Sequence, residues 1–136
     1  MNIASQAKTI LRKSHYAVES ATAREGYRKQ YDYQLYPSSM RKLLKKTGEE
    51  FLRIIPIGDA DVAGDFWVIP YRVISDLLVP ANLTHDGRWR FHIEDQKFVL
   101  YPGGRVRLGE RDVQQYFGAE LPLAAGWQKL LENEFV

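Results

Sequence analysis

The chain has 136 residues, of which 45% are hydrophobic and 26% charged, and its formal net charge is +2. These values are those of one ordinary globular domain and exclude a disordered chain. It contains no cysteine, which excludes disulfides, thiolate metal sites and cysteine nucleophiles and suits a reducing compartment such as the cytoplasm. We expect no secretory signal, because Lys8, Arg12 and Lys13 interrupt the apolar run at the N-terminus. We expect no membrane segment, because no stretch approaches the roughly 18 to 20 apolar residues that span a bilayer.

The charges are distributed unevenly along the chain. Residues 1–46 hold ten Lys or Arg against three acidic residues, a balance of +7. The remaining residues hold nine against fourteen, a balance of −5. A basic first third on a mildly acidic remainder predicts a face that binds polyanions.

The first element is predicted to be a helix over residues 4–22. Ile10, Leu11 and Val18 recur at near-helical spacing, and the segment contains neither proline nor glycine. Gly26 is expected to end or bend this helix.

The next stretch, residues 27–36, is rich in tyrosine and has mixed periodicity. Tyr27 and Tyr31 are four apart, as on a helix face, whereas Tyr31 and Tyr33 are two apart, as on a strand. The pattern leaves both structures open.

A second helix is predicted directly after the tyrosines. Pro37 and the two serines that follow it begin the helix, and Gly48 ends it. Lys45 and Lys46 suit its last turn, where cations interact favourably with the helix dipole.

Short strands are predicted after residue 50. "FLRIIPI" (51–57) and "DFWVIPY" (65–71) are rich in β-forming residues. Pro56 and Pro70 cannot donate to a strand ladder, so we expect them at strand ends, edges or bulges. Residues 72–79 are predicted to form a short helix.

The clearest pattern is a β-hairpin over residues 88–101. Apolar residues alternate with Arg88, Arg90 and His92, as in a half-buried strand with a cationic outer face. A turn near residues 94–96 is expected to return the chain. A further strand at 105–108 and closing helices at 109–118 and 124–135 complete the prediction.

Together these elements predict a single α+β domain. A small, twisted, mostly antiparallel sheet, either open or barrel-like, would carry a basic helical N-terminal region and short C-terminal helices. The composition changes near residue 48. We therefore divide the chain into a basic helical region, 1–48, and a β-rich core with closing helices, 49–136.

Nucleic-acid binding is the leading functional hypothesis. Lys and Arg attract phosphates, and tyrosine can stack on a base or bond a phosphate. The candidate residues are basic, aromatic or at the start of the second helix: Arg24, Arg28, Lys29, Tyr33, Tyr36, Ser39, Arg41, Lys42, Lys45, Arg88, Arg90, His92, Arg105 and Arg107.

Each group of candidates also has a purely structural interpretation. The rings can pack into the core while the cations stay solvated, and the serines can simply cap a helix. The arginine strands can form an ordinary polar face, paired with Glu94, Asp95 or Glu110.

Two other functions remain open. A metal-dependent nuclease would use Asp59, Asp61 and Asp65 with Asp95 and Lys97, since such enzymes combine acids with a lysine near the scissile phosphate. A protein-interaction or inhibitor module would dock through the proline-bearing strands and exposed aromatics. No catalytic residue, metal site or cofactor is predicted, and enzymatic activity is not favoured.

A family resemblance supports DNA as the ligand. "DFWVIPYRVISDLL", followed by "RWRFHI", "KFVLY" and "DVQQYFG", resembles the pseudobarrel DNA-recognition and accessory domains of restriction-type nucleases. The resemblance covers about residues 51–117 and lies in the order of elements. It implies a double-stranded DNA-binding surface of strands and loops within a restriction or genome-defence system.

Overall fold

The computed structural model describes residues 8–9, 11–12, 17–22, 24–25, 31–58, 65–101 and 107–118. The strands in this part of the chain are β1 (Ala17–Thr22), β2 (Arg24–Glu25), β3 (Tyr31–Leu35), β4 (Leu52–Ile57), β5 (Ile69–Pro70), β6 (Trp89–Glu94), β7 (Lys97–Tyr101) and β8 (Gly109–Asp112). The helices are α1 (Pro37–Thr47) and α2 (Tyr71–Ile74), and short 3-10 turns cover Glu49–Phe51, Pro80–Asn82 and Gln114–Tyr116.

The strands form two sheets, which confirms the predicted α+β class with a mostly antiparallel sheet. One sheet has the order β1-β4-β5, in which β1 and β4 run parallel and β5 is antiparallel to β4. The other has the order β2-β3-β6-β7-β8 and is antiparallel throughout. The described strands do not close into a barrel.

The helix predicted over residues 4–22 is wrong at its C-terminal end. Residues 8–9 and 11–12 are helical, but Ala17–Thr22 form strand β1 in register with β4. A neighbouring strand offers hydrogen-bond partners that spacing along the sequence cannot reveal, and this tertiary context overrides local propensity. The first third also supplies β3, so its described strands belong to both sheets.

The tyrosine-rich stretch resolves in favour of a strand over Tyr31–Leu35. Tyr33 and Leu35 point into the core, where they pair with Phe91 and Trp89 of β6. Residues on opposite strands in register share a face, so apolar alternation on β3 matches that on β6.

Helix α1 has the bounds that the sequence predicts. It runs from Pro37, whose ring suits the first helical position, to Thr47, and Gly48 follows with a positive φ of 81°. Met40 is buried, and Leu43 and Leu44 pack against the core, so the opposite face of the helix is turned outward.

Both prolines lie at strand ends, as predicted. Pro56 is the penultimate residue of β4, and Pro70 is the last residue of β5. Strand β4 nevertheless lies in the middle of its sheet, because its central residues remain free to pair on both sides.

The hairpin of β6 and β7 is confirmed. Asp95 and Gln96 connect the strands with φ values of 49° and 61°, the two positive φ angles that a type I′ turn requires. Residues 109–118, predicted to be a helix, instead form β8 and a 3-10 turn, because Gly109–Asp112 pair with β7. The helix predicted at 124–135 and the start of the strand predicted at 105–108 lie outside the described residues.

One main core joins the two sheets, α1 and α2. It includes Leu52 and Ile54 of β4, Phe91 of β6, and Phe98 and Leu100 of β7, all almost completely buried. Two indole groups complete their polar contacts within this core: Trp67 Nε1 donates to Gln96 Oε1 at 2.9 Å, and Trp89 Nε1 donates to the carbonyl of Val79 at 3.0 Å.

No helix in the described part of the chain has the length and apolar character needed to cross a bilayer.

Candidate nucleic-acid interface

The outer face of the five-stranded sheet carries the arginines that the sequence singled out. Side chains alternate across a strand, so Arg90, His92 and Glu94 leave β6 on the side opposite the core. Register places Gln34 beside Arg90 and Asp32 beside His92. The sheet therefore brings acids from other strands among the cations.

These arginines are matched by carboxylates. Arg90 Nη2 lies 2.9 Å from Asp32 Oδ2. Arg107 reaches two acids, with Nη2 3.1 Å from Glu94 Oε2 and Nη1 3.2 Å from Glu110 Oε2. The predicted alternative of a polar face with internal pairing thus describes Arg90 and Arg107 better than an open cationic patch.

The titration behaviour of the pairs reflects the same contacts. The pKa of Glu94 is lowered chiefly by the hydrogen bond from His92 and further by the positive charge of Arg107. The pKa of Arg107 is raised, chiefly by the charge of Glu94. Each partner favours the charged form of the other.

His92 is not placed to contact a ligand, contrary to its selection as a binding residue. Its side chain is 4% exposed, and its ring stacks on Tyr101 with centroids 4.3 Å apart. Nε2 donates to Glu94 Oε2 at 3.1 Å, which directs the imidazole along the sheet.

Tyr33 is likewise wrong as a ligand-contacting residue. It is 1% exposed and stacks on Phe91 with ring centroids 5.0 Å apart. Strand alternation points it to the core side of β3, whereas Asp32 and Gln34 point outward.

Arg88 and Tyr36 lie together beside the start of α1. The guanidinium carbon of Arg88 is 5.3 Å from the centroid of the Tyr36 ring. Arg88 Nη1 donates to Gln34 Oε1 at 2.7 Å, and its Nε lies 3.6 Å from Asp86 Oδ2. This arginine is therefore half-buried, oriented by neighbours and close to an exposed ring.

Helix α1 carries the most uniform cluster of positive charge in the described structure. At 100° per residue, four cations fall within about 140° of the helix circumference, on the face opposite Met40. They are Arg41, Lys42, Lys45 and Lys46, all exposed. No carboxylate among the described residues lies within 4.0 Å of any of them, and the helix itself contains no acid.

Ser39 does not begin the helix. The N-cap is Tyr36, whose side chain makes no capping bond, and Ser39 is the third residue of α1 and is partly buried. Pro37 accounts for the shift, because its fixed φ places it at the first helical position.

Three candidates, Arg28, Lys29 and Arg105, lie outside the described residues. Arg24 belongs to β2, where its backbone is in register with Asp32 of β3.

The described residues contain no site of the kind that the metal-nuclease alternative requires. Among them, no group of three or more His, Asp or Glu side chains could hold a metal ion. Asp59 and Asp61 lie outside them. Asp95 occupies the exposed hairpin turn, and Lys97 Nζ is 3.9 Å from Glu110 Oε1.

The alternative of docking through the proline-bearing strands stays a prediction, but three of the aromatics in that region, Phe66, Trp67 and Tyr71, are buried. Strand β4 is flanked by strands on both sides, whereas β5 lies at the edge of its sheet. The three aromatics build the core, as β-rich runs of aromatics usually do.

The sequence interpretation missed Asp32 and Gln34. Alternation in "YDYQL" would have placed both on the side opposite Tyr33 and Leu35 once the stretch was taken as a strand. It could not show which arginines they meet, because Arg88 and Arg90 lie more than fifty residues further along the chain.

Comparison with known proteins identifies no relative. Neither protein-family models, nor curated proteins, nor solved structures give a significant match to the chain.

Proposed function

We propose that the protein binds nucleic acid, with double-stranded DNA preferred, through phosphate contacts made by the exposed cationic face of α1. The observation that carries the proposal is the group of four exposed cations on α1, none of which has a carboxylate within 4.0 Å among the described residues. The resemblance of residues 51–117 to DNA-recognition domains of restriction-type nucleases suggests a restriction or genome-defence system as the setting.

The dimensions of α1 suit a phosphate backbone. From Arg41 to Lys46 the helix rises about 7.5 Å. A duplex presents one phosphate charge per about 3.4 Å of its axis on each strand, so this span corresponds to roughly two phosphates per strand when the helix lies along the duplex. Four cations can meet a comparable number of phosphates only if their long side chains reach both strands across a groove.

The sheet arginines have a different role in this proposal. Arg90 and Arg107 hold the outer face of the sheet together through Asp32, Glu94 and Glu110. A phosphate would have to displace a carboxylate from each, which reduces the net gain of binding there. They support the scaffold that presents α1.

The test is a salt titration of DNA binding, measured by fluorescence anisotropy of a labelled duplex. If each of the four cations neutralises one phosphate, α1 should contribute about −3.6 to the slope of log K plotted against log salt concentration. The double variant Lys42→Gln/Lys45→Gln should make the slope less steep by about 1.8.

The matched control is Arg72→Gln/Arg107→Gln. It removes the same two positive charges, but from exposed arginines that already pair with Glu50, Glu94 and Glu110. Its slope should stay close to that of the unmodified protein. Equal slopes for the two double variants, or no binding at low salt, would refute the proposal.

A further inference from the structure

Tyr36 is unusual among the described aromatics because it is exposed. The residue is 40% accessible, and no other large hydrophobic residue among the described ones is so exposed. It directly precedes α1 and serves as its N-cap. An exposed aromatic ring at the N-terminal end of the helix that carries the cations offers a stacking partner for a base.

The ring is held in a defined orientation. Its hydroxyl donates to Gln34 Oε1 at 3.2 Å, and the guanidinium of Arg88 lies over the ring, 5.3 Å from its centroid. Arg88 in turn donates to the same Gln34 oxygen at 2.7 Å. A ring anchored at its edge and covered by a cation loses little freedom when a ligand stacks on it.

Gln34 adds a directional polar group to this cluster. Arginine has only donors, so the amide atom that faces Arg88 must be the oxygen, and the hydroxyl of Tyr36 shares that oxygen. The amide NH₂ of Gln34 is then directed away from them. Within the described residues no acceptor is hydrogen-bonded to it, so it is available to a carbonyl or ring nitrogen of a base.

We propose that Tyr36, Gln34 and Arg88 form a site for an unpaired nucleobase, so that the preferred ligand is a duplex with an adjoining single-stranded base. The inference rests on the proposed function, because α1 must hold the neighbouring phosphates. In a continuous duplex both faces of each interior base are covered by adjacent pairs. Only a terminal, overhanging or extruded base can stack on a surface tyrosine.

The order of the residues along the chain fits this ligand. Tyr36 lies between the end of β3 and the start of α1. The first exposed cation of α1, Arg41, follows one helical turn after Pro37. A strand that leaves a duplex would keep its paired phosphates along α1 and place its first unpaired base on Tyr36. The Arg88 charge favours the same junction, since guanidinium planes also accompany stacked bases.

The experiment compares three labelled DNAs by fluorescence anisotropy, each at a low and at a high salt concentration. They are a fully paired duplex, the same duplex with a short single-stranded overhang, and that overhang with abasic sites in place of its bases. The two overhang ligands carry the same number of phosphates. We expect the overhang with bases to bind about 5- to 150-fold more tightly than the abasic one, which corresponds to the 1 to 3 kcal/mol per base found for base–aromatic stacking.

Variants at Tyr36 separate stacking from charge. Tyr36→Leu should abolish the preference for the base-bearing overhang, whereas Tyr36→Phe should retain most of it. Both changes are at an exposed position and should leave the fold intact, which circular dichroism can confirm. Lys42→Gln/Lys45→Gln should weaken binding to all three DNAs and keep their ranking.

The outcomes distinguish this inference from the proposed function. Equal affinity of the unmodified protein for the two overhang ligands, with salt-dependent binding retained, would overturn the unpaired-base site and leave duplex binding by α1 intact. A preference that survives Tyr36→Leu would also overturn it. Failure to bind any of the three would remove both proposals.

Discussion

A close contact between Gly109 and Leu77 allows a quantitative test of the packing behind the outer sheet face. Gly109 begins β8 opposite Leu100, and a Cβ built on it would lie 2.5 Å from Leu77 Cδ2. Ordinary carbon–carbon contact is about 3.5 to 4.0 Å, so a methyl group there would overlap by about 1 Å or more. Leu77 is buried and has little room to move away.

We expect Gly109→Ala to destabilise the protein. Overpacking of this kind costs about 1 to 3 kcal/mol. Loss of unfolded-state freedom at a glycine whose φ is not positive offsets about 0.4 to 1 kcal/mol. The net decrease in the free energy of unfolding should therefore lie between about 0 and 2.6 kcal/mol, with a central value of about 1.3 kcal/mol.

The effect of Gly109→Ala on the free energy of unfolding should change sign when the obstructing methyl group of Leu77 is removed. Leu77→Ala removes Cγ and both Cδ atoms, which are the three atoms nearest to the built Cβ, at a cost of about 2 to 5 kcal/mol in its own right. In that background Gly109→Ala should stabilise by about 0.4 to 1 kcal/mol. Urea denaturation followed by tryptophan fluorescence, on all four proteins, measures the coupling. The same effect of Gly109→Ala in both backgrounds would refute the packing argument.

Three other predictions concern charge and backbone. His92 and Arg107 hold the pKa of Glu94 below its ordinary value. The stabilisation that Glu94 contributes should therefore be fully present above about pH 4.3 and be lost as the pH falls through the pKa of the folded state. The free energy of unfolding should then depend less steeply on pH in this acid range for Glu94→Gln. Arg90→Gln should lower the free energy of unfolding, measured in urea, by at most about 1 kcal/mol and leave DNA affinity nearly unchanged, because Arg90 is paired with Asp32. A large loss of DNA affinity would show that Arg90 binds DNA despite this pairing. Gly48→Ala should cost about 1 to 2 kcal/mol by thermal melting, since its φ of 81° is strained for any side chain although its Cβ would meet no atom.

Local patterns predicted the elements whose signals lie within a few residues. Pro37, Gly48 and the two terminal lysines delimit α1, and strict alternation predicts β6. Each of these signals reflects a local backbone preference or an apolar face, and the folded structure agrees with it.

Elements that depend on a distant strand were not predictable in this way. Ala17–Thr22 is compatible with a helix until β4 offers parallel pairing, and polar Gly109–Asp112 becomes a strand only because β7 lies beside it. Strand preference of this kind belongs to the context of the sheet rather than to the residue.

The candidate site shows the same limit in its electrostatics. Counting charges along the chain indicated a basic first third, and strand alternation left an open cationic sheet face and a paired polar face as alternatives. Folding brings Asp32 to Arg90 across 58 positions and Glu94 to Arg107 across 13. Among the described residues, the cations of α1 are left without a carboxylate within 4.0 Å. A net charge per segment predicts that cations exist, but only the register of the strands determines which of them stay unpaired.

The most direct test of the central claim is chemical footprinting of lysines with and without duplex DNA. The protein would be acetylated briefly under both conditions, and modification at each lysine quantified by mass spectrometry. We predict that DNA protects Lys42, Lys45 and Lys46 on α1, while Lys97, which is exposed and lies near Glu110, is modified equally in both. Protection of Lys97 with unchanged modification of the three α1 lysines would contradict the account.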